Sequence, residues 1–278
     1  MKKLVLISLL LLAVSALFAQ SSLQQYTPSV LLSQGQMEFK LFNNLYSQTK
    51  VRDKDGTEIE LGQRQSFLNN QFRFLFGVSN SKRLNVGFET NLTTAWYGSE
   101  SSDLMFTSIG PTLKFVPIES KGNFSIQSTF LFPLNGEKLE NPVFVNHHRY
   151  TWWTQIFYDY SVNERLNLFF EADLIYRFKA VEMQKDFFRV PLSIIVSYFP
   201  TSQLTLYANG QYAGAYGTQI PGGNEVEFGR VSWYTQLGLG AKYLILNNLE
   251  LELSYANFVL SKRDGAGSVY NFGIRFLR

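Results

Sequence analysis

Strict alternation of apolar and polar residues constrains this chain more than any other feature. Between positions 166 and 177, one parity holds Leu166, Leu168, Phe170, Ala172, Leu174 and Tyr176, and the other holds Asn167, Phe169, Glu171, Asp173, Ile175 and Arg177. Successive side chains of a β-strand point to opposite faces, so this segment has an apolar face and a polar, charged face. Repeated around a closed sheet, the pattern predicts a barrel with lipid outside and polar side chains or water inside.

The beginning of the chain has the layout of an export signal. Lys2 and Lys3 are followed by an almost wholly apolar stretch up to position 18, and Ala19 supplies a small residue for cleavage before Gln20. The stretch is too short to favour a membrane-spanning helix. We therefore expect residues 1–19 to be a cleaved signal peptide.

Composition excludes several classes of protein. The formal net charge of +3 falls to about +1 without the two signal lysines (3 − 2), which gives no indication of nucleic-acid binding. The absence of Cys excludes disulfides, thiolate metal sites, a Cys nucleophile and a lipidated Cys anchor. No run of 18 apolar residues follows the signal, so an exported chain like this one can be integral to a membrane only as a closed barrel.

Parity and turn residues predict an all-β chain of twelve strands. An even number returns both chain ends to the same side of the membrane, with ten or fourteen strands as the alternative counts. The predicted strands are 36–47, 64–78, 83–97, 105–117, 123–133, 149–161, 165–178, 187–199, 203–216, 230–245, 249–261 and 268–277.

The connections between these strands alternate in length. Tight turns are predicted at 79–82, 118–122, 162–164, 200–202 and 246–248, while the intervening connections include long loops at 48–63, 134–148 and 217–229. Short periplasmic turns and longer extracellular loops are typical of an antiparallel outer-membrane barrel. A soluble β-sandwich is the main alternative, because it would pack its apolar faces together and expose its polar parity.

Aromatic residues are concentrated towards the predicted strand ends. Two belts at the headgroup levels of a bilayer would explain this distribution, and it favours the barrel over the sandwich. The belt candidates are Trp96, Tyr97, Tyr150, Trp152, Trp153, Tyr158, Tyr160, Tyr198, Tyr207, Tyr216, Trp233, Tyr234, Tyr243 and Tyr270.

The last strand and two internal segments resemble known proteins. Tyr270, Phe272, Ile274 and Phe276 share one parity, as in the closing strand of bacterial outer-membrane proteins, although the chain ends on Arg278 instead of an aromatic residue. Positions 108–115 (SIGPTLKF) and 150–155 (YTWWTQ) resemble transporter-like outer-membrane barrels of Gram-negative bacteria, including the group linked to phenol-degradation operons. The resemblance implies a location in the outer membrane, contact with its lipid, insertion by the barrel-insertion machinery and a role in transport. It implies no active-site residue.

The polar parity supplies the residues that would line the lumen. Glu38, Lys40, Asp159 and Glu250 belong to it, and the main lumen-lining candidates are Arg73, Glu89, Lys114, Glu171, Asp173, Arg177, Arg189, Lys242, Glu252 and Arg275. Projection from the turn centres places Arg73 opposite Glu89, and Lys242 and Arg275 on the strands that flank Glu252. We expect most of these charges to pair, because an unpaired buried charge is costly.

Two arginines are an exception to this expectation. Arg177 and Arg189 are predicted to lie nearly face to face towards the outer mouth, with Lys179 nearby. Like charges across a strand pair repel each other, so an anion is expected between them. Glu182 or Asp186 of the same loop could supply it, and an anion-binding constriction is the alternative hypothesis.

Catalysis has little support in the sequence. His147 and His148 are adjacent in a predicted outer loop, and neighbouring side chains of an extended segment point apart, which makes a poor chelate. Neither a His-x-Ser pair, as in outer-membrane phospholipases, nor a G-x-S-x-G motif occurs. Glu171 and Asp173 share a face, but basic neighbours favour structural pairing over glycosidase chemistry. We predict no catalytic residue, no metal site and no cofactor.

These observations predict three segments: the signal 1–19, an N-terminal periplasmic segment or small plug at 20–35, and a transmembrane barrel at 36–278. Eight-stranded barrels are filled by side chains and sixteen-stranded ones are open, so twelve strands predict a narrow or partly plugged lumen. Passage of small solutes is the favoured function. A structural or adhesion protein acting through its outer loops and an outer-membrane lipid hydrolase are the alternatives.

Overall fold

The chain folds into a closed antiparallel barrel of twelve long strands. The computed structural model describes residues 29–101, 104–134, 138–140, 143–145, 149–179, 186–219 and 225–278. Consecutive strands pair with each other, and the last strand returns to pair with the first. The strands are β1 (Met37–Arg52), β2 (Glu58–Gly77), β3 (Leu84–Tyr97), β4 (Met105–Phe115), β5 (Phe124–Pro133), β6 (Thr151–Asn163), β7 (Leu166–Arg177), β8 (Phe187–Tyr198), β9 (Leu204–Gln219), β10 (Glu225–Leu246), β11 (Leu249–Lys262) and β12 (Ser268–Leu277). The predicted fold class and strand count are confirmed.

Closure depends on the pairing between the two ends of the chain. The register of β1 and β12 runs from Glu38 opposite Leu277 to Ser47 opposite Ser268. This seam leaves neither strand with an unpaired edge, and a lipid-exposed wall requires such pairing because hydrocarbon cannot satisfy backbone groups.

Four short strands lie on the loop side of the barrel. Glu100–Ser101 pairs with β3, Asp264–Gly265 pairs with β1, and Lys138–Glu140 forms a small hairpin with Val143–Val145. Within the described ranges, no helix has the length and apolar character needed to cross a bilayer.

Turns and loops occupy opposite rims, as the sequence predicts, but two predicted loops are mostly strand. β1 and β2 extend into the predicted loop 48–63, and β9 and β10 extend into the predicted loop 217–229. In the first case, Lys50 contacts both Glu58 and Glu60 at 3.2 Å across the hairpin. Charged residues such as Lys50, Glu58 and Glu60 are frequent in the first of these extensions, which is why the sequence indicated a loop there.

Apolar side chains cover the outer surface of the barrel and polar side chains its interior, which is the reverse of the distribution in a water-soluble protein. On the outer wall, Leu239 and Leu253 are 68% and 62% exposed, whereas Glu89 and Gln127 on the inner wall are 0% and 1% exposed. Exposed leucine side chains arranged around a wall require an apolar surrounding. The outer surface is therefore suited to lipid, and the polar parity faces the lumen.

Aromatic rings line the outer wall near both rims. Phe74 lies 4.8 Å from Phe39 and 5.7 Å from Phe88 near the turn side, and Phe130 lies 5.1 Å from Phe132 near the loop side. Four belt candidates were assigned wrongly. Tyr97, Trp153, Tyr207 and Tyr234 share the inward parity of their strands, because the concentration of aromatics near strand ends does not distinguish the two faces.

Candidate functional site

The lumen is the candidate site, and its turn side holds the residues that precede β1. The backbone N–H of Ser29 donates a hydrogen bond to Asp159 Oδ2 at 3.1 Å, and the Ser29 hydroxyl donates to the same oxygen. Lys114 Nζ donates to the Val30 carbonyl oxygen at 3.2 Å. Two charged inward-facing residues thus bind the backbone and hydroxyl of an incoming segment.

Apolar contacts hold the same segment a few residues later. Leu32 is 1% exposed and packs against Leu75, Leu244 and Leu277, which come from β2, β10 and β12. A Cβ on Gly77 would lie 2.0 Å from the Ser33 carbonyl oxygen. The segment therefore approaches the barrel wall so closely that it requires glycine at this position.

One charged pair predicted from the sequence forms on the inner wall. The Arg73 guanidinium contacts Glu89 Oε2 at 2.8 Å, and Gln71 Nε2 donates to Glu89 Oε1 at 2.8 Å. Arg73 is directly opposite Glu89 in the β2–β3 register. Both oxygens of this buried carboxylate thus have partners, as a buried charge requires.

Of the two cations predicted on the strands that flank Glu252, only Lys242 pairs with it. Lys242 Nζ lies 3.6 Å from Glu252, and the Tyr207 hydroxyl donates to Glu252 at 2.6 Å. Arg275, predicted as a second neighbour of Glu252, instead contacts Glu38 of β1 at 2.6 Å. In the β11–β12 register Arg275 lies opposite Glu250, one level away from Glu252, and its long side chain crosses the barrel seam to Glu38.

Of the two neighbouring carboxylates of β7, Glu171 is bound by a neutral partner. Gln155 Nε2 donates to Glu171 Oε1 at 2.7 Å, and Gln127 donates to Gln155 at 2.8 Å. Among the described residues, Glu171 and Asp173 belong to none of the ion pairs. The predicted pairing with Arg or Lys neighbours does not form among the described residues, and Gln155 binds Glu171 instead.

Arg177 and Arg189 are diagonal neighbours, not facing ones. Arg177 lies opposite Phe187, and Arg189 lies opposite Ile175. Arg189 contacts Asp264 Oδ2 at 3.2 Å, and Ser232 also donates to that oxygen. The acid that balances Arg189 thus comes from the connection between β11 and β12, not from the loop next to the arginines.

Of the two acids predicted to balance the arginines, Asp186 binds other groups and Glu182 lies outside the described residues. Asp186 accepts hydrogen bonds from the Tyr176 hydroxyl at 2.7 Å and from the Lys179 N–H at 2.8 Å. These bonds, above all the one from Tyr176, hold the pKa of Asp186 below its ordinary value. Glu182 lies outside the described residues, as do both histidines and residues 1–19, for which the sequence predicts a signal peptide.

A cavity of about 330 Å³ opens into the loop-side half of the lumen. Arg149 and Arg177 form part of its wall together with Glu89, Trp153 and Asn91. Sequence reasoning missed Arg149, although it shares the inward parity of Thr151 and precedes β6 by two residues. Within the described part of the chain, no three His, Asp or Glu side chains are grouped closely enough to hold a metal ion.

Comparison with known proteins shows a shared fold. No family model and no curated protein matches this chain. Among solved structures, it is similar to an outer membrane channel from Pseudomonas putida F1, with a TM-score of 0.69 and 10% identity over 91% of this chain and 98% of the other. It is also similar to the beta domain of the Bordetella autotransporter Brka, with a TM-score of 0.56 and 11% identity over 87% of this chain and 99% of the other. The fold is that of an outer-membrane barrel.

Proposed function

We propose that this protein is a channel of the Gram-negative outer membrane through which small polar solutes pass. The observation that carries the proposal is the combination of an apolar outer wall with a polar lumen that contains a cavity of about 330 Å³. A barrel whose only task was to anchor loops would gain nothing from an interior cavity lined by charged side chains. The likeness in fold to an outer membrane channel supports the same function.

We further propose that residues 20–35 act as a small plug on the periplasmic side. The contacts of Ser29 with Asp159 and of Leu32 with Leu75 support this role, because they join the segment to the inner surface of the wall. A plug at this end and a cavity at the other would make the lumen a narrow path instead of a wide pore.

Two partners follow from the outer surface. Outer-membrane lipid would cover the exposed leucine and aromatic side chains. The barrel-insertion machinery would bind the closing strand β12, on which Tyr270 and Phe272 face outward.

Conductance in planar bilayers tests the proposed function. Purified, refolded chain is expected to give discrete conductance steps in potassium chloride, and the same preparation unfolded before addition serves as the control. Absence of steps from folded protein, both with and without residues 20–34, would contradict a channel. Release of fatty acid from phospholipid by the same preparation would instead favour the hydrolase, and inactivity in both assays would favour a structural or adhesion protein.

A further inference from the structure

Arg177 carries a positive charge into the lumen, and no carboxylate of the described residues pairs with it. It ends β7 on the inward parity, is exposed, and lines the cavity. Arg73, Arg189 and Arg275 each contact a carboxylate within 3.2 Å. Arg177 takes part in none of the ion pairs formed by residues that the structure describes.

Two further arginines flank Arg177 on the neighbouring strands. Thr151 is directly opposite Arg177, so Arg149 lies two residues beyond on the same face, and Arg189 is the diagonal neighbour on the other side. Both Arg149 and Arg189 repel the Arg177 guanidinium electrostatically. The Asp264 carboxylate lies against Arg189, so among the described residues Arg189 has a counter-charge and Arg177 has none.

The acidic residue in the cavity wall does not cancel this charge. Glu89 receives two bonds from Arg73 at 2.8 and 3.0 Å and others from Gln71 and Asn91. Both oxygens of its carboxylate are thus already engaged. Arg177 is engaged by no carboxylate of the described residues, so its guanidinium could bind a ligand anion without competing with Glu89.

The remaining wall has an apolar side and a polar side. Leu131, Trp153 and Ile175 supply the apolar side, while Asn91 and Ser108 supply hydrogen-bonding groups. Inorganic phosphate or chloride could use the charge but not the apolar side. A small organic carboxylate could use both, and the cavity volume of about 330 Å³ is at the lower end of the range for small-molecule sites.

We infer that the cavity binds small organic carboxylates, with the carboxylate against Arg177 and the apolar part of the solute against Trp153, Leu131 and Ile175. A guanidinium suits this role because its paired N–H groups match the two oxygens of a carboxylate. The inference deepens the proposed function by naming the class of solute, but binding itself does not require that the barrel conduct.

Calorimetric titration of the refolded protein in detergent tests the site. Butyrate is expected to bind, and butyramide, which has the same shape without the charge, is not. Arg177→Gln should weaken butyrate binding by at least about tenfold, the loss expected for a charge-assisted hydrogen bond. Arg177→Lys should fall between the two, because it keeps the charge but loses the paired donors.

Arg83→Gln is the matched control, since Arg83 lies at a turn on the opposite rim and pairs with Glu119 there. It removes the same formal charge and should leave butyrate binding unchanged. Equal affinity of wild type and Arg177→Gln, equal binding of butyrate and butyramide, tighter binding of phosphate than of butyrate, or no binding at all would each overturn the inference.

Bilayer recordings on the same preparations separate this inference from the proposed function. Steps of conductance without butyrate binding would overturn the carboxylate site and leave the channel intact. Butyrate binding in detergent without conductance in bilayers would preserve the site and overturn the channel.

Discussion

Charged side chains on the turn side of the lumen and those on the loop side differ in the partners that they contact. On the turn side, Arg275 and Glu38 form a direct pair, and Lys114 and Asp159 bind the segment that precedes β1. On the loop side, Arg177 faces a cavity and forms no ion pair with the described residues. Both halves are built from the same twelve strands and the same inward parity.

The difference shows that a polar or charged side chain on the inward face of a strand does not by itself indicate a functional residue. A charge that faces away from bulk water is stable only with a partner, and on the turn side the protein supplies that partner itself. On the loop side, Asp264 balances Arg189, but the described residues supply no carboxylate to Arg177. The functional candidates are therefore the inward charges that the protein does not balance, and four predictions test this distinction.

Removing residues 20–34 should have the largest effect. If the segment narrows the turn side, single-channel conductance should rise roughly severalfold, because the lumen of a twelve-stranded barrel would then be limited only by side chains of the wall. Ser29→Ala, which loses the hydroxyl bond but keeps the backbone bond to Asp159, is the control and should conduct nearly as wild type. Identical conductance of the shortened and full-length chains would mean that the two halves do not differ in width.

Breaking the turn-side pair should destabilise the barrel. Glu38→Ala leaves Arg275 with its charge and without its partner, and the side chains of both residues are little exposed. The free energy of unfolding, measured in urea with lipid vesicles, should fall by about 3 kcal/mol. Glu58→Ala removes an acid from an ion pair on the outer hairpin and should lower the free energy of unfolding far less, because the Glu58 side chain is 44% exposed. Equal losses would contradict the view that the turn side depends on its internal pairs.

The same contrast explains how far the sequence could predict the lumen. Arg73 and Glu89 flank a short turn, so the turn centre sets their register, and their pairing was predicted correctly. Arg275 and Glu38 are diagonal neighbours across the seam between the first and last strands, where no turn defines the register. The alternation of apolar and polar residues identifies strands and their two faces, because both are local properties of the sequence. It carries no information on the contacts that form when the first and last strands pair to close the barrel.

Contacts across the lumen could not be predicted from the sequence for a related reason. Arg189 pairs with Asp264, and these residues come from β8 and from the connection before β12. Their approach depends on the diameter and tilt of the finished barrel, which no single segment encodes. Arg149 could have been found by continuing the parity of β6 outward from Thr151, because the inward face does not end where the strand ends.

Gly77→Ala should affect the turn side on a smaller scale. The added methyl group would overlap the Ser33 carbonyl oxygen, and backbone at that position cannot move without loosening the segment. Overpacking of this kind costs about 1–3 kcal/mol, so we expect partial release of the segment and a modest rise in conductance. Gly122→Ala is the control, since a Cβ there meets no atom within 4 Å. A rise in both variants, or in neither, would argue against close docking at Gly77.

Asp264→Asn should give the smallest effect and is the most direct probe of the loop side. It removes the carboxylate from Arg189 while keeping the shape of the side chain, so a second arginine beside Arg177 loses its counter-charge. The pair is partly exposed, and its loss should cost no more than about 1 kcal/mol of stability. The reversal potential in a potassium chloride gradient should shift towards anion selectivity. Asp55→Asn changes the formal charge equally at an exposed position beside Lys54, and salt screens it from the lumen. If both variants shift the reversal potential alike, net charge and not the position of Asp264 sets selectivity, and the loop-side half then has no special role.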